Sequence, residues 1–335
     1  MIYITQSALN DWLNQIAQQR ILIAPVAEGS SMTYRQVSDS SEITGGFDRP
    51  DMGIKGAFLP ATETLFTIQS GNGSYTISDN VPADEQVIFG VRPCDSRGML
   101  ALDALFIETE PVDIHYARRR QNSVIIGLAC STMGEYCFCT NLGSSPTDNQ
   151  GADLFLTKSG SGYWLDNITE KGRSLLGTYA IQQSEPAHSR PPEIEHSANA
   201  SLPDLEKWPP LFADEYWEAV GERCLSCRIC AYVCPTCRCF DIRDETLPTA
   251  EDGAKYERIR CWDSCLGESY SQVAGGHNPR VAKGDRLRNR MYCKFYYFPQ
   301  QHGPIACTGC GRCVEACPVN IDVTEVLQHV LEATL

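Results

Sequence analysis

Between residues 224 and 239 the chain reads CLSCRICAYVCPTCRC, six cysteines in sixteen residues. Cys224, Cys227, Cys230 and Cys234 follow the spacing C-x2-C-x2-C-x3-C, and a proline comes next. The same spacing, again closed by proline, returns at Cys307, Cys310, Cys313 and Cys317. Three thiolates this close in sequence wrap one [4Fe–4S] cube, and the fourth reaches the other cube of a pair. Cys224, Cys227, Cys230 and Cys317 are therefore expected to hold one cluster, and Cys307, Cys310, Cys313 and Cys234 the other. Zinc also takes four thiolates, but its sites pair C-x2-C motifs across a long gap. Two such cubes pass single electrons, and with every iron capped by sulfur neither is open to a substrate.

Nine of the seventeen cysteines lie outside these motifs. Cys94, Cys130, Cys137 and Cys139 lie in the front half. They are expected to hold a third cluster, with buried, inert thiols as the alternative. Cys237 and Cys239, the last two of the opening stretch, have Cys265 and Cys293 further on. These four either make a further ligand set or pack around the two firm clusters. Cys261 is then the spare. From Lys255 to Lys294 nine basic residues stand against four acidic ones. Arginines near an anionic cube raise its reduction potential, whereas the plain reading is a solvated face. His277, in AGGHN, reads as a turn residue.

The elements that must position these thiols differ between the two halves. RILIAPV (20–26), QVIFGV (86–91) and SVIIGLAC (123–130) are apolar runs suited to buried strands. A helix is expected between the last two, capped by Asp95 or Ser96, with Met99, Leu100, Leu102, Leu105 and Phe106 on its buried face. Cys94 and Cys130 then sit at carboxyl ends of neighbouring strands, where α/β sheets build their sites. DLFLT and YWLD, around KSGSG, read as a hairpin. Residues 183–215 open with a stretch rich in proline, serine and charge and read as a linker. The tail VTEVLQHVLEATL reads as a helix with Asp322 and Glu325 as a capping pair. The expected organisation is an α/β domain (1–182), the linker (183–215), and a mostly α-helical ferredoxin-type domain with two [4Fe–4S] clusters (216–335). Helices are expected to fill the long gap between Cys234 and Cys307.

Composition narrows the function. The first 215 residues carry 14 Lys and Arg against 27 Asp and Glu, which disfavours nucleic acid. No apolar run approaches a membrane span, and MIYITQSALNDWLNQ lacks the pattern of a signal peptide. A cytoplasmic protein is expected, and in that compartment so many cysteines point to metal rather than disulfides. No dinucleotide fingerprint, P-loop or zincin motif occurs.

FGVRPCDSRGMLALD, CFCTNLGSSP, CLSCRICAYVCPTCRCFDIRDE, CWDSC, AGGHNPR, GDRLRNR and CTGCGRCVEACPVNID together resemble one family. It comprises the β subunits of cytoplasmic NAD(P)-linked [NiFe] hydrogenases (sulfhydrogenases) and the similar A subunits of anaerobic sulfite reductases. The resemblance runs from about Pro25 to Leu327. It implies an electron-transfer subunit, not catalytic alone, that relays electrons from a flavin- and NAD(P)-binding subunit. The receiving partner would be a hydrogenase, or else a sulfite reductase. The family's pattern carries over onto the eight repeated cysteines and also onto Cys94, Cys130, Cys137, Cys139, Cys237, Cys239 and Cys265. At Cys293 relatives can show histidine, another metal ligand. One or two further [4Fe–4S] clusters are implied. A self-sufficient reductase using the front-half cysteines is the contrasting possibility.

Overall fold

The structure, a computed structural model of the chain, describes all residues except 48, 72–73, 187, 193–201, 249–253 and 334–335. Its strands are β1 (Ile2–Thr5), β2 (Ile21–Glu28), β3 (Ser31–Val37), β4 (Thr62–Gly71), β5 (Ser74–Asp79), β6 (Gln86–Val91), β7 (Ser123–Leu128), β8 (Leu154–Ser159), β9 (Gly162–Asn167), β10 (Phe240–Leu247) and β11 (Lys255–Trp262). Seven of them form one sheet in the order β1-β9-β8-β7-β6-β2-β3. β2, β6, β7 and β8 run parallel at its centre, and the β8–β9 hairpin falls where expected.

Both faces of the central strands are covered, which is why they read as unbroken apolar runs. On one face Leu9, Trp12 and Ile16 of the helix Gln6–Ala17 pack on Leu22, Val87, Phe89 and Ile126. On the other, Met99 and Leu102 of the helix Pro93–Phe106 pack on Ile88 and Ile125. Each such large side chain taken wholly out of water stabilises the fold by about 1.5–3 kcal/mol. At the end of β6 the pairing slips between Phe89 and Val91, and Gly90 there is left-handed (φ 74°). The irregularity turns Val91 onto the same face as Ile88 and leads directly into Arg92-Pro93-Cys94. The helix that follows is capped by Arg92 with Pro93 in its first turn, not by Asp95 or Ser96. Proline suits that position, and the Asp95 carboxylate is engaged elsewhere.

The rest of the chain is not mostly helical. The gap between Cys234 and Cys307 opens with β10 and β11, which join β4 and β5 in a second sheet ordered β10-β11-β4-β5. That sheet takes two strands from each half of the chain. Ion pairs hold its polar strands together: Arg258 meets Asp244 across β10–β11, and buried Arg260 meets Glu63 of β4. Only then comes the helix Lys283–Tyr292, continued by a π-helical turn at Cys293–Tyr297. The expected linker ends in packed structure, since Trp208 is buried and stacks on Phe295 at 5.9 Å. Residues 187 and 193–201 of that stretch lie outside the described residues. The last helix, Val323–Glu332, is capped by the Asp322 side chain, which accepts from the Thr324 amide; Glu325 pairs with Arg223 instead of completing a capping box. Among the described residues no helix is long and apolar enough to cross a membrane.

Candidate iron–sulfur centres

The repeat seen in sequence is also a repeat of backbone. In the first motif Ser226 and Arg228 are left-handed, with φ of 54° and 68°. The matching positions of the second motif, Gly309 and Gly311, have φ of 65° and 73°. A short helix follows each loop, Ile229–Tyr232 and Arg312–Glu315. Left-handed residues alternating with ordinary ones turn successive amides inward and make a concavity that favours an anion. Two amides already reach sulfur: Ser226 donates to Cys224 Sγ at 3.3 Å, and Ile321 to Cys317 Sγ at 3.3 Å.

The second motif uses glycine for a further reason. A Cβ on Gly311 would lie 2.2 Å from the Tyr136 carbonyl oxygen, and one on Gly309 would lie 2.5 Å from Cys139 Cα. The CFC loop of the front half thus lies directly on the CTGCGRC loop, and the Phe138 amide donates to the Gly309 carbonyl at 2.8 Å. Gly311→Ala is expected to cost about 3 kcal/mol, from left-handed strain plus backbone overlap. Arg228→Ala, at the matching open position, is expected to cost under about 1 kcal/mol for its half-exposed pair with Asp263. Anaerobic urea unfolding of the two variants checks this; equal losses would discount the loop-on-loop contact.

None of the seventeen cysteines is paired in a disulfide. Cys224, Cys227, Cys230 and Cys317 line one cavity, with Arg228 and Arg290 at its wall. Cys234, Cys307, Cys310 and Cys313 lie close enough to perturb one another's ionisation. Burial pushes the Cys307 thiol up to about 11, with the Lys294 ammonium opposing it. Thiols buried this way become thiolates only where positive charge meets them. Lys294 supplies it. It is buried, and its Nζ lies 3.2 Å from Cys234 Sγ, 3.0 Å from Thr236 Oγ1 and 2.9 Å from the Ala306 carbonyl.

The front-half cysteines also come together. Cys94 near the start of its helix and Cys130, Cys137 and Cys139 in the loop after β7 line one cavity, which Cys310 of the second motif also lines. Burial, then the neighbouring Cys137 and Cys130, raises the Cys139 thiol to about 11. Arg92 stands at the same wall. It is buried, and it donates to the Ala129 carbonyl at 2.7 Å.

Cys237, Cys239, Cys265 and Cys293 line another cavity, with Arg238, Arg290 and Lys294 around it. Arg290 Nη1 donates to Cys237 Sγ at 3.0 Å, and Arg238 Nη2 to Cys293 Sγ at 3.3 Å. Hydrogen bonding from Cys265, then Tyr270 and the Arg238 charge, brings Cys239 down to about 5. Cys293 and Lys294 both sit in the π-helical turn, a local widening that often marks functional positions. Cys261 sits in β11 between Asp241 and Thr62 and lines none of these cavities. Cys261→Ser is therefore expected to leave the iron content per chain unchanged. Loss of iron in that variant would give the ninth cysteine a ligand role.

Of the basic run, only some members face sulfur. Arg290 and Lys294 do; Arg286 is spent on the Val281 carbonyl, and Arg288 lies over Phe212. His277 lies exposed in a turn, as expected. Sequence reasoning passed over the pair Asp95–Arg312. Arg312, between Cys310 and Cys313, donates twice to Asp95, the neighbour of Cys94, at 2.6 and 2.7 Å. Their exposures are 1% and 0%. An aspartate beside one cysteine and an arginine beside another was the available signal, with no indication that the two meet.

The donor sets, four thiols with buried cations and inward amides, fit anionic iron–sulfur clusters. Residues 223–321 match the family described as a 4Fe-4S dicluster domain. The whole chain is similar to a sulfhydrogenase 2 subunit β of Pyrococcus furiosus, with 30% identity over 97% of this chain and 96% of that protein. No solved structure matches the chain. The dicluster domain carries two [4Fe–4S] clusters, whose work is electron transfer in a hydrogenase-type complex of several subunits. The chain belongs to the family of hydrogenase β subunits of the sulfhydrogenase type, with the dicluster domain in its second half.

Proposed function

We propose that the chain relays electrons between a flavin- and NAD(P)-binding subunit and the catalytic subunit of a cytoplasmic [NiFe] hydrogenase with sulfur-reducing activity. It does so through four clusters. Cys224, Cys227, Cys230 and Cys317 hold the first, and Cys234, Cys307, Cys310 and Cys313 the second. Cys94, Cys130, Cys137 and Cys139 hold a third, and Cys237, Cys239, Cys265 and Cys293 a fourth. The observation that carries this reading is the gathering of fourteen cysteines around three cavities, with Cys234 and Cys307 close beside Cys310 and Cys313, in a chain similar end to end to a sulfhydrogenase subunit. Each cluster, when bound, supplies reversible one-electron chemistry. The chain's own residues offset thiolate charge with Arg238, Arg290, Lys294 and Arg312, and keep much of the second group from water.

The A subunit of an anaerobic sulfite reductase is the alternative, and the name of the similar protein favours the hydrogenase. Two measurements test the reading. Iron and acid-labile sulfide on oxygen-free protein should reach about 16 per chain; about 8 would leave only the repeated motifs occupied. Affinity purification from the native host should bring down hydrogenase subunits, and the complex should reduce viologen with hydrogen. Recovery with a sirohaem protein instead would establish the alternative.

A further inference from the structure

We infer that the cluster of the second motif is a junction at which three electron paths meet, not a station on a single line. The inference rests on the four-cluster reading above.

The second-motif cysteines touch each of the other groups separately. Toward the front half, Cys310 lines the cavity of Cys94, Cys130, Cys137 and Cys139, and Cys137 Sγ donates to the Cys310 carbonyl at 3.8 Å. Toward the first motif, Cys313 lines the cavity of Cys224, Cys227, Cys230 and Cys317. Toward the PTCRC group, the amide of Cys237, one member of that group, donates to the Cys234 carbonyl at 3.4 Å. Lys294 lines that group's cavity while donating to Cys234 Sγ.

Where outer groups meet, they do so through a cation and not a cysteine: Arg290 donates to Cys237 Sγ at 3.0 Å and to the Cys230 carbonyl at 2.7 Å. Their cavities share no cysteine, and the first-motif and PTCRC cavities share only the cationic side chain of Arg290. Each outer group also has exposed apolar side chains at its mouth: Leu225 and Ile229 at the first motif, Met133 and Tyr136 at the front group, Tyr270 and Val273 near the PTCRC group. At the centre Cys234 and Cys310 are buried, and Cys307 and Cys313 partly so. A central station that adjoins three neighbours, each with apolar side chains at the surface, is the layout of a branch point.

Each passage moves one electron. The outer cluster that gives it is oxidised by one unit, the central one is reduced by one, and the electron leaves by either remaining arm. No bond is made or broken. The donor and acceptors are redox centres of partner proteins. Such a layout lets one donor supply two acceptors, or two donors one.

The test is a stepwise dithionite reduction of the oxygen-free holoprotein, followed by electron paramagnetic resonance at each step. Iron is counted first. About 8 irons per chain would overturn the four-cluster reading and the junction with it, and about 12 would leave a line. With about 16, three spin–spin interactions are expected, all sharing one cluster. Cys307→Ser disables that cluster without touching a cysteine that lines an outer cavity, and it should abolish all three interactions while three narrowed signals survive. An interaction between two outer clusters that persists in Cys307→Ser would overturn the junction. If that variant fails to hold iron, the unaltered protein still decides: a line gives the central cluster at most two partners.

Discussion

Arg312→Met is expected to destabilise the protein by about 4 kcal/mol, and Asp95→Asn by about half as much. Both residues are excluded from water, and breaking a buried pair from one side leaves the other charge without compensation. The asymmetry comes from what surrounds them. With arginine gone, the Asp95 carboxylate faces the thiols of Cys94 and Cys310, which become negative when they hold a cluster. With aspartate neutralised, the Arg312 guanidinium still faces those two cysteines, which continue to favour its charge. Asp95→Asn combined with Arg312→Met should recover much of the loss. The pair sits where the front helix meets the second motif, so both single variants should also shed iron faster. Anaerobic urea unfolding and iron release would be followed together. An Asp95→Asn variant as damaged as Arg312→Met, or a double variant no better than the worse single, would show that the carboxylate–guanidinium contact is not what joins the halves. Gly53 sets a related limit, because a Cβ there would lie 2.4 Å from Asp95 Oδ1.

That pair shows where sequence stops being readable. The parallel core was legible because β6 and β7 bury both faces, and an apolar run with a helix between repeats is hard to read otherwise. The meeting of Cys94 and Cys130 followed from that topology, since adjacent parallel strands end side by side. The C-x2-C-x2-C-x3-C-P repeat was legible because three ligands of each cube are local in sequence. β10 and β11 were not legible. FDIRDETL is exposed along almost its whole length, so no apolar alternation marks it. Its pairing is fixed by ion pairs to β11 and, through β11, by Glu63 and Thr64 of β4, nearly two hundred residues earlier. Contacts of that separation leave no local pattern. Arg290 and Lys294 stood out as basic, but only the helix phase and its π-helical continuation select them from a run of five cations.

Lys294→Gln is expected to lower the reduction potential of the second-motif cluster by about 130 mV while leaving its iron in place. The ammonium is buried 3.2 Å from Cys234 Sγ, and the cluster's charge centre would lie a few ångströms beyond the sulfur. At about 6 Å and an effective dielectric of about 20, one unit charge is worth about 3 kcal/mol. For a one-electron couple, where 59 mV is a tenfold change, that is about 130 mV. The sign follows from electrostatics: reduction adds negative charge, and removing a nearby cation makes that harder. Glutamine separates charge from structure, because its amide can still donate to Thr236 and the Ala306 carbonyl, the residue before Cys307. Lys294→Met loses those bonds as well and should show the same shift with reduced iron. Lys294→Arg keeps the charge and should restore most of the potential. If Lys294→Gln leaves the potential within about 20 mV of the unaltered protein, then Arg290 and neighbouring amides set it, and Lys294 only fastens the start of the second motif. Because Lys294 also lines the PTCRC cavity but bonds directly to Cys234 Sγ, the larger of the shifts it produces would fix which signal in the titration belongs to the centre of the relay, the assignment on which a branched path depends.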